Sequence, residues 1–215
     1  MNEDSVVLVD KPAGITSFGV VARVRRVLSQ QLGKKAKVGH TGTLDPFATG
    51  LMIIVTGKEC RNAMNYSKLD KEYEATFRLG QTSSTGDPEG EITDVSELQP
   101  SKEAIEAALE QFRGEITQRP PIFSAIKING RRAYDLARKG EDFEIPERQV
   151  TVFALELIDY TYPNLRIRTH VSSGTYIRSL AVDIGKVLET GAYCSELRRT
   201  KVAEFSVADA VQIEV

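Results

Sequence analysis

Apolar residues recur with the periods of strands and helices through the first third of the chain. Residues 5–10 are largely apolar and predict a strand, and residues 51–55 form a short apolar run that predicts a second, buried strand. Between them, Thr16 or Ser17 is suited to cap a helix that ends at Gly33. The apolar face of that helix is formed by Val21, Val24, Leu28 and Leu32.

The same two periods continue through the rest of the chain. Lys71–Leu79 alternates and predicts a half-buried strand, with one face made of Tyr73, Ala75, Phe77 and Leu79. Residues 82–90 are polar and predict a loop, and Ser101 caps a helix that ends at Gly114. Further strands are predicted over residues 149–160, 165–171 and 193–205, and an amphipathic helix over residues 174–188.

Residues 119–149 interrupt this order and predict an insertion. Pro120 and Pro121 stiffen its entry, Asn129-Gly130 is a hairpin turn signal, and a short helix ends at Gly140. We predict one domain over residues 1–215 with an α/β (α+β) fold. Its mixed, mostly antiparallel sheet is flanked by helices, because strands and helices do not alternate as regular βαβ units.

Composition is that of an ordinary folded protein, and only the distribution of charge adds information. Hydrophobic residues make up 41%, charged residues 27%, and the net charge is −2. Acids gather at residues 70–115 and 141–147, whereas cations gather at 11–44, 119–139 and 198–201. Such local basic segments favour a polyanionic partner although the total charge does not.

Cysteine and histidine are too sparse and too far apart to suggest a metal site or a disulfide framework. The chain has Cys60 and Cys194, and its only histidines are His40 and His170. The N-terminus has no signal-peptide pattern, and the longest purely apolar run is too short to span a bilayer. We therefore expect a cytoplasmic, monomeric protein that uses no metal, no cofactor and no membrane.

The segment Gly39–Gly50 is the most informative part of the sequence. From Lys11 to Leu44 there is no Asp or Glu, and the first acid after that interval is Asp45, which is followed by Pro46 in a Gly/Thr-rich loop. A basic segment leading to one carboxylate suggests chemistry on a bound polyanion, with the carboxylate as nucleophile or base. The alternative is a solvated basic helix followed by an ordinary Asp-Pro turn.

Arg178 and two tyrosines are further candidates. Arg178 lies in the first turn of a predicted helix, where a cation opposes the helix dipole by about 0.3–1 kcal/mol, so a nearby acid such as Asp45 would relieve the conflict. The alternative is an arginine turned into solvent. Tyr73 and Tyr176 are suited to stack on a nucleobase, or else belong to the core.

Five motifs, in order along nearly the whole chain, resemble the TruB family of pseudouridine synthases. They are Asp10-Lys-Pro-Ala-Gly-Ile-Thr-Ser17, the segment Gly39–Gly50, Lys71-Glu-Tyr73, Pro120-Pro-Ile-Phe-Ser-Ala-Ile-Lys127 and Gly174-Thr-Tyr-Ile-Arg-Ser-Leu-Ala181. The resemblance implies the pseudouridine synthase fold and a cofactor-free enzyme that isomerises a uridine in the T-loop of tRNA. It also implies that residues 119–149 are a thumb-like, RNA-binding insertion.

The resemblance assigns roles to individual residues. Asp45 is implied as the catalytic aspartate, Tyr73 as the tyrosine that stacks on the flipped base, and Arg178 as the partner of Asp45. The substrate-binding residues implied with them are His40, Tyr176, Leu197, Lys11 and Asp87. The cations expected to contact the RNA backbone are Arg23, Arg26, Lys34, Lys35, Lys37, Arg131, Arg132, Arg198 and Arg199.

Departures from the family pattern leave the three implied catalytic residues intact. Ser83-Ser84, Val171 and Ala203 differ from the residues common in the family, and we expect no C-terminal PUA domain, which family members of this type usually carry. We expect recognition to be confined to the T-arm. Two alternatives stay open: a tRNA-binding folding chaperone, and a pseudouridine synthase that acts on rRNA or mRNA.

Overall fold

The fold is described from a computed structural model, for residues 3–124, 126–128 and 130–213. The strands are β1 Val6–Lys11, β2 Val38–His40, β3 Thr49–Thr56, β4 Lys71–Leu79, β5 Gln81–Ser83, β6 Ile92–Asp94, β7 Gly114–Gln118, β8 Lys127–Ile128, β9 Arg131–Arg132, β10 Arg148–Thr161, β11 Asn164–Val171, β12 Ala192–Val202, β13 Phe205–Ser206 and β14 Val211–Gln212. The helices are α1 Ser17–Leu32, α2 Ala63–Ser67, α3 Lys102–Glu110, α4 Ala133–Arg138 and α5 Ile177–Val187, and there are 3-10 turns over Gly57–Asn62 and Val207–Asp209.

The chain divides into two compact units. Unit 1 comprises the residues up to Glu74 and those from Leu197 onward, and unit 2 comprises Ala75–Glu196. The boundaries fall inside β4 and β12 rather than in linkers.

In unit 1 the strand order is β14-β1-β3-β12, with β2 also on β3 and β13 on β12. The pairs β1–β3 and β2–β3 are antiparallel, whereas β12 runs parallel to β3. One core cluster is formed by Leu51, Ile53, Val55 and Val202. The apolar run predicted at 51–55 is therefore a buried strand, as expected.

Helix α1 begins and ends where its capping residues predict. The Thr16 side chain accepts a hydrogen bond from the Gly19 N–H (3.0 Å), and Gly33 adopts φ 65°, the left-handed conformation that glycine favours. Val20, Val21, Val24 and Leu28 are buried, whereas Leu32 is only half-buried.

In unit 2 the strand order is β12-β4-β11-β10-β7, and β10 is antiparallel to both β11 and β7. Helix α3 packs on β10 and α5, with Ile105, Ala108 and Leu109 buried. The α/β class with a mostly antiparallel sheet is confirmed.

Several boundaries differ from the predictions because short elements carry little periodic signal. The loop predicted over residues 82–90 contains part of β5, which pairs with β6. The helix predicted over 174–188 starts only at Ile177, and β2, β6, β7, β14 and α2 were not predicted. Strands β8 and β9 form the predicted hairpin in the insertion, although its turn residue Asn129 lies outside the described residues.

Candidate active site

Asp45 lies in unit 1, on the loop 41–48 between β2 and β3, and is half-buried. The residue before it is fixed to the start of α1, because the Ser17 hydroxyl both donates to the Leu44 carbonyl and accepts from the Leu44 N–H, each at 2.8 Å. The Ala48 N–H donates to the Asp45 carbonyl at 3.1 Å and closes the turn. The backbone on both sides of the carboxylate is therefore held in place.

The Lys11 side chain is hydrogen-bonded to the same loop. Its side chain is fully buried, and Nζ donates to the carbonyls of Pro12 (2.9 Å), Ile15 (2.8 Å) and Pro46 (3.1 Å). Three acceptors match the three donors of an ammonium group, which offsets the cost of burying it. The expectation that Lys11 contacts substrate is therefore corrected: its ammonium is enclosed by backbone and supports Pro46.

Arg198 and Arg199, adjacent on β12, have opposite environments. Arg198 is 41% exposed at its side chain and forms a two-point ion pair with Asp10, at 3.0 and 2.8 Å. Burial alone would raise the pKa of Asp10, but the hydrogen bonds from Arg198 and Gln212 outweigh it and hold that pKa below its ordinary value. Arg198 is thus at the surface, and its contact with an RNA phosphate stays a prediction.

Arg199, in contrast, is 2% exposed. Its Nε donates to the Leu51 carbonyl (2.7 Å), Nη1 to that of Thr43 (3.4 Å) and Nη2 to that of Gly42 (3.2 Å). This corrects the prediction that Arg199 binds RNA phosphate, because its guanidinium lies inside unit 1 beneath the Asp45 loop. The strand period places the two side chains on opposite faces, and the local sequence does not show which of them faces inward.

His40 ends β2, just before the Asp45 loop, and is half-buried. Burial lowers the pKa of its imidazole below the ordinary value, and the positive charge of Arg199 lowers it further. Among the described residues its buried Nδ1 has no hydrogen-bond partner. His40 is therefore held in its neutral form near pH 7, and its contact with RNA stays a prediction.

Tyr73 and Leu197, predicted to contact the base, both belong to unit 1 and are each 8% exposed. Tyr73 is on β4 two residues after Lys71, whose Nζ donates to the carbonyls of Ser67 (2.7 Å) and Leu69. Burial, followed by the charge of Arg199, lowers the pKa of Lys71 to about 8. Tyr73 and Leu197 are therefore nearly buried, and their contact with the base stays a prediction.

Arg178 lies in unit 2, in the first turn of α5 as predicted, and is paired with Asp87. Nη1 lies 2.8 Å from Asp87 Oδ2, and both side chains are 4% exposed. Nη1 also donates to the Thr85 carbonyl (3.0 Å) and Nη2 to the Phe123 carbonyl (2.8 Å). The adverse helix-dipole position is thus compensated by a buried carboxylate. The predicted pairing of Arg178 with Asp45 would join the two units and stays a prediction.

Asp87 was expected to bind substrate, and its environment corrects that assignment. It is 3% exposed, and Oδ1 accepts from the Thr85 hydroxyl (2.6 Å) and the Glu89 N–H (3.0 Å) while Oδ2 faces Arg178. Both carboxylate oxygens are therefore engaged within unit 2, and Asp87 fixes Arg178.

Tyr176 is the residue that precedes α5, and it is held at both backbone and ring. The Gln118 amide accepts from the Tyr176 N–H (2.8 Å) and donates to its carbonyl (3.0 Å). The Arg148 guanidinium lies 4.9 Å from the centre of the Tyr176 ring, within cation–π range. Neither Gln118 nor Arg148 was predicted as part of the site, because nothing in the neighbouring sequence marks them.

The remaining predicted RNA-contact cations lie at the surface or half-buried. They are Arg23, Arg26, Lys34, Lys35, Lys37, Arg131 and Arg132. Lys34 is paired with Glu3 at 2.7 Å, and Arg131 forms two hydrogen bonds of 2.7 Å with Glu141. Exposed ion pairs of this kind contribute little stability, so they can be exchanged for other partners at little cost. Contact of these cations with RNA phosphates stays a prediction.

Within residues 3–213, apart from Ala125 and Asn129, no group of His, Cys, Asp or Glu side chains has an arrangement that holds a metal ion. Over the same residues, no helix is long and apolar enough to cross a membrane.

Comparison with known proteins places the whole chain among RNA-modifying enzymes. A family model described as TruB family pseudouridylate synthase (N terminal domain) matches residues 25–177. A second, described as tRNA pseudouridylate synthase B C-terminal domain, matches residues 178–215. Both matches together extend from α1 to the C-terminus.

Named relatives agree with the family models. The tRNA pseudouridine synthase B of Phocaeicola vulgatus is 45% identical over 214 residues, which is 99% of this chain and 91% of that protein. The enzyme of the same name from Aquifex aeolicus is 45% identical over 98% of this chain and 72% of its own length.

Solved structures show the same fold. A Cbf5-Nop10-Gar1 complex contains a chain with a TM-score of 0.74 and 31% identity, matched over 98% of this chain. A structure described as an H/ACA RNP bound to a substrate RNA contains one with a TM-score of 0.70 and 29% identity. This chain spans only about half of those two chains, 53% and 51%.

Proposed function

Because the chain belongs to the TruB family of pseudouridylate synthases and is an enzyme of the tRNA pseudouridine synthase type, we propose that it isomerises the uridine at position 55, in the T-loop of tRNA, to pseudouridine. The observation that carries the proposal is the position of Asp45. Asp45 lies on a loop whose backbone is hydrogen-bonded to the side chains of Ser17 and Lys11. Such preorganisation is what a group that must meet a reacting atom requires.

The reaction breaks the C–N glycosidic bond, turns the uracil and rejoins it to the sugar through carbon. The target uridine is stacked in folded RNA, so it must be flipped out at a cost of a few kcal/mol. Stacking of the flipped base on Tyr73 returns about 1–3 kcal/mol. Tyr176 and Leu197 are proposed to line the base pocket, and His40 to hold the RNA in its flipped state.

Asp45 acts in one of two ways under this proposal. As a nucleophile it attacks the anomeric carbon, and as a base it removes the neighbouring sugar proton to give a glycal. Both routes require an ionised carboxylate. The proposed partnership with Arg178 would favour that form by placing a positive charge beside it.

The T-arm is proposed as the main recognition element, with the enzyme acting as a monomer. The support is the set of accessible cations on α1 and the segment after it, and on the β8–β9 insertion. These positions suit phosphates of one stem and its loop, and phosphate contacts dominate the affinity of such complexes.

The test is pseudouridine formation on an unmodified T-arm stem–loop by the wild type and by Asp45→Asn. We expect Asp45→Asn to lose turnover by at least about 10³-fold while its RNA affinity stays within a few-fold, since phosphates carry most of the binding. Asp159→Asn, which removes an exposed acid on β10, is the matched control. A stem–loop of equal length and unrelated sequence controls for RNA specificity.

Parallel loss of rate and affinity in Asp45→Asn would show that Asp45 serves binding or folding instead. Turnover by the wild type on the unrelated stem–loop at the same rate would remove the T-loop assignment. RNA binding without any turnover by the wild type would favour the chaperone alternative.

A further inference from the structure

Arg199 is a buried cation that the proposed chemistry does not use. Its guanidinium donates to carbonyls on both sides of Asp45 in the chain. Gly42 and Thr43 precede Asp45 in the loop, and Leu51 follows it on β3. The planar guanidinium therefore connects the chain segments before and after Asp45.

We propose that Arg199 is a positioning residue for catalysis. Its guanidinium joins the two ends of the loop by hydrogen bonds and thereby fixes the direction of the Asp45 carboxylate. The proposal rests on the catalytic role proposed for Asp45. It replaces the expectation that Arg199 binds an RNA phosphate.

The geometry favours a guanidinium over any other cation. The three acceptors lie in different directions from one planar group, with Nε directed at β3 and the two Nη atoms at the part of the loop before Asp45. The Lys11 ammonium can bind three carbonyls because they are gathered around one nitrogen, whereas the carbonyls at Arg199 are bound by three separate nitrogens of a planar group. Arg199→Lys keeps the positive charge but should not keep all three hydrogen bonds.

Gly50 provides independent support, because it allows β12 to approach closely enough to place Arg199. Gly50 pairs with Arg199 in the parallel ladder between β3 and β12. A Cβ on Gly50 would lie 2.2 Å from the Arg199 carbonyl oxygen, and φ at Gly50 is 106°. The glycine that ends the Gly39–Gly50 segment and the arginine on β12 are thus parts of one arrangement.

The experiment compares Arg199→Met and Arg199→Lys with the wild type in the full chain. Three quantities are measured: the single-turnover rate at saturating tRNA, the Kd for tRNA, and the Tm. We expect the rate of Arg199→Met to fall by about 100-fold, as for a misplaced catalytic group, with Kd within about threefold. Arg199→Lys is expected to lose at least about tenfold in rate, again with Kd preserved.

Arg113→Met is the control for the loss of arginine–carbonyl hydrogen bonds elsewhere, because Arg113, an exposed residue, donates to the Leu155 carbonyl through Nε (3.2 Å) and Nη2 (2.9 Å). It belongs to unit 2 and does not touch the Asp45 loop. We expect a lower Tm with a rate within about threefold of the wild type, so that a loss of stability is separated from a loss of positioning.

A wild-type rate in folded Arg199→Met overturns the proposal, as does a weakened Kd with an unchanged rate, which would restore the phosphate-binding role. If Arg199→Met does not fold, Arg199→Lys tests the proposal instead, and a wild-type rate in that variant also overturns it. Asp45→Asn in the same assay separates the two proposals: if it retains turnover, the proposed function itself fails, whatever Arg199 does.

Discussion

Arg178 is held by three buried or partly buried hydrogen bonds. Its guanidinium is bonded to the Asp87 carboxylate, the Thr85 carbonyl and the Phe123 carbonyl, each at 2.8–3.0 Å. A cation near the start of a helix is unfavourable by itself, so this environment, and not local helix preference, keeps it there. Breaking a buried pair of this kind costs about 3–5 kcal/mol when one partner is removed.

We therefore expect Arg178→Lys to be severe although it conserves the charge. One ammonium cannot reach three acceptors set around a planar fork, so the free energy of unfolding should fall by about 2 kcal/mol and turnover by at least about tenfold. Urea unfolding and the pseudouridine assay measure the two effects. Arg131→Lys, at the exposed pair with Glu141, is the control and should change stability by less than about 1 kcal/mol. Near-normal turnover and stability in Arg178→Lys would show that a positive charge at this position is enough and that the guanidinium is not required.

At the scale of elements, the first turn of α5 is attached to the start of the insertion. Gln118 is the last residue of β7, is 1% exposed, and forms both of its amide hydrogen bonds with the Tyr176 backbone. The Ser179 hydroxyl adds a bond of 2.8 Å to the Arg119 carbonyl. The segment that enters the insertion therefore supplies the N-terminal cap that α5 otherwise lacks.

Gln118→Met removes this cap at nearly constant volume. The Tyr176 N–H loses its partner, whereas its carbonyl keeps the hydrogen bond from the Leu180 N–H (3.1 Å), so we expect the free energy of unfolding to fall by about 1–2 kcal/mol. Because Tyr176 is proposed to line the base pocket, the rate at saturating RNA should also fall. The control is Gln149→Met, which removes one amide bond to Thr117 on the sheet surface and should change stability by less than about 1 kcal/mol. Equal effects in the two variants would mean that the cap has no special importance.

For the whole molecule, the distribution of charge matters more than its total. The net charge is −2, yet the basic residues between Lys11 and Leu44 are not offset by any acid within that interval. A protein of this kind can bind RNA through one face while its remaining surface is acidic.

Binding to tRNA should accordingly weaken steeply with salt, and replacing Lys34, Lys35 and Lys37 together by Gln should flatten that dependence. Removing one lysine–phosphate interaction lowers the slope of log K against log salt by about 1, whereas the rate at saturating RNA should stay close to that of the wild type. Filter binding over a salt series measures the slope. The control replaces Lys58, Lys102 and Lys186, which are exposed and change the net charge equally. If both triple variants flatten the slope alike, the effect is one of net charge and not of a localised RNA-binding surface.

The elements that the sequence determined by itself are those set by neighbouring residues. Helix α1 lies between its predicted Thr16 cap and Gly33, and β4 has the predicted bounds and the predicted buried face. The reason is physical: helix and strand periods, caps and turns depend on residues a few positions apart. The motifs that pointed to the TruB family are likewise contiguous segments, which is why the family could be predicted before the fold was known.

Only the tertiary structure decided which charged side chains are buried and what they hold. Arg198 and Arg199 are neighbours on one strand, yet one is at the surface and the other beneath a loop more than 150 positions earlier in the chain. Asp87 and Arg178 are separated by 91 positions, and Lys11 and Pro46 by 35. These partners meet because packing of the sheet and helices brings distant backbone carbonyls and carboxylates around them, and burial then makes each hydrogen bond obligatory. No pattern of local residues carries that information.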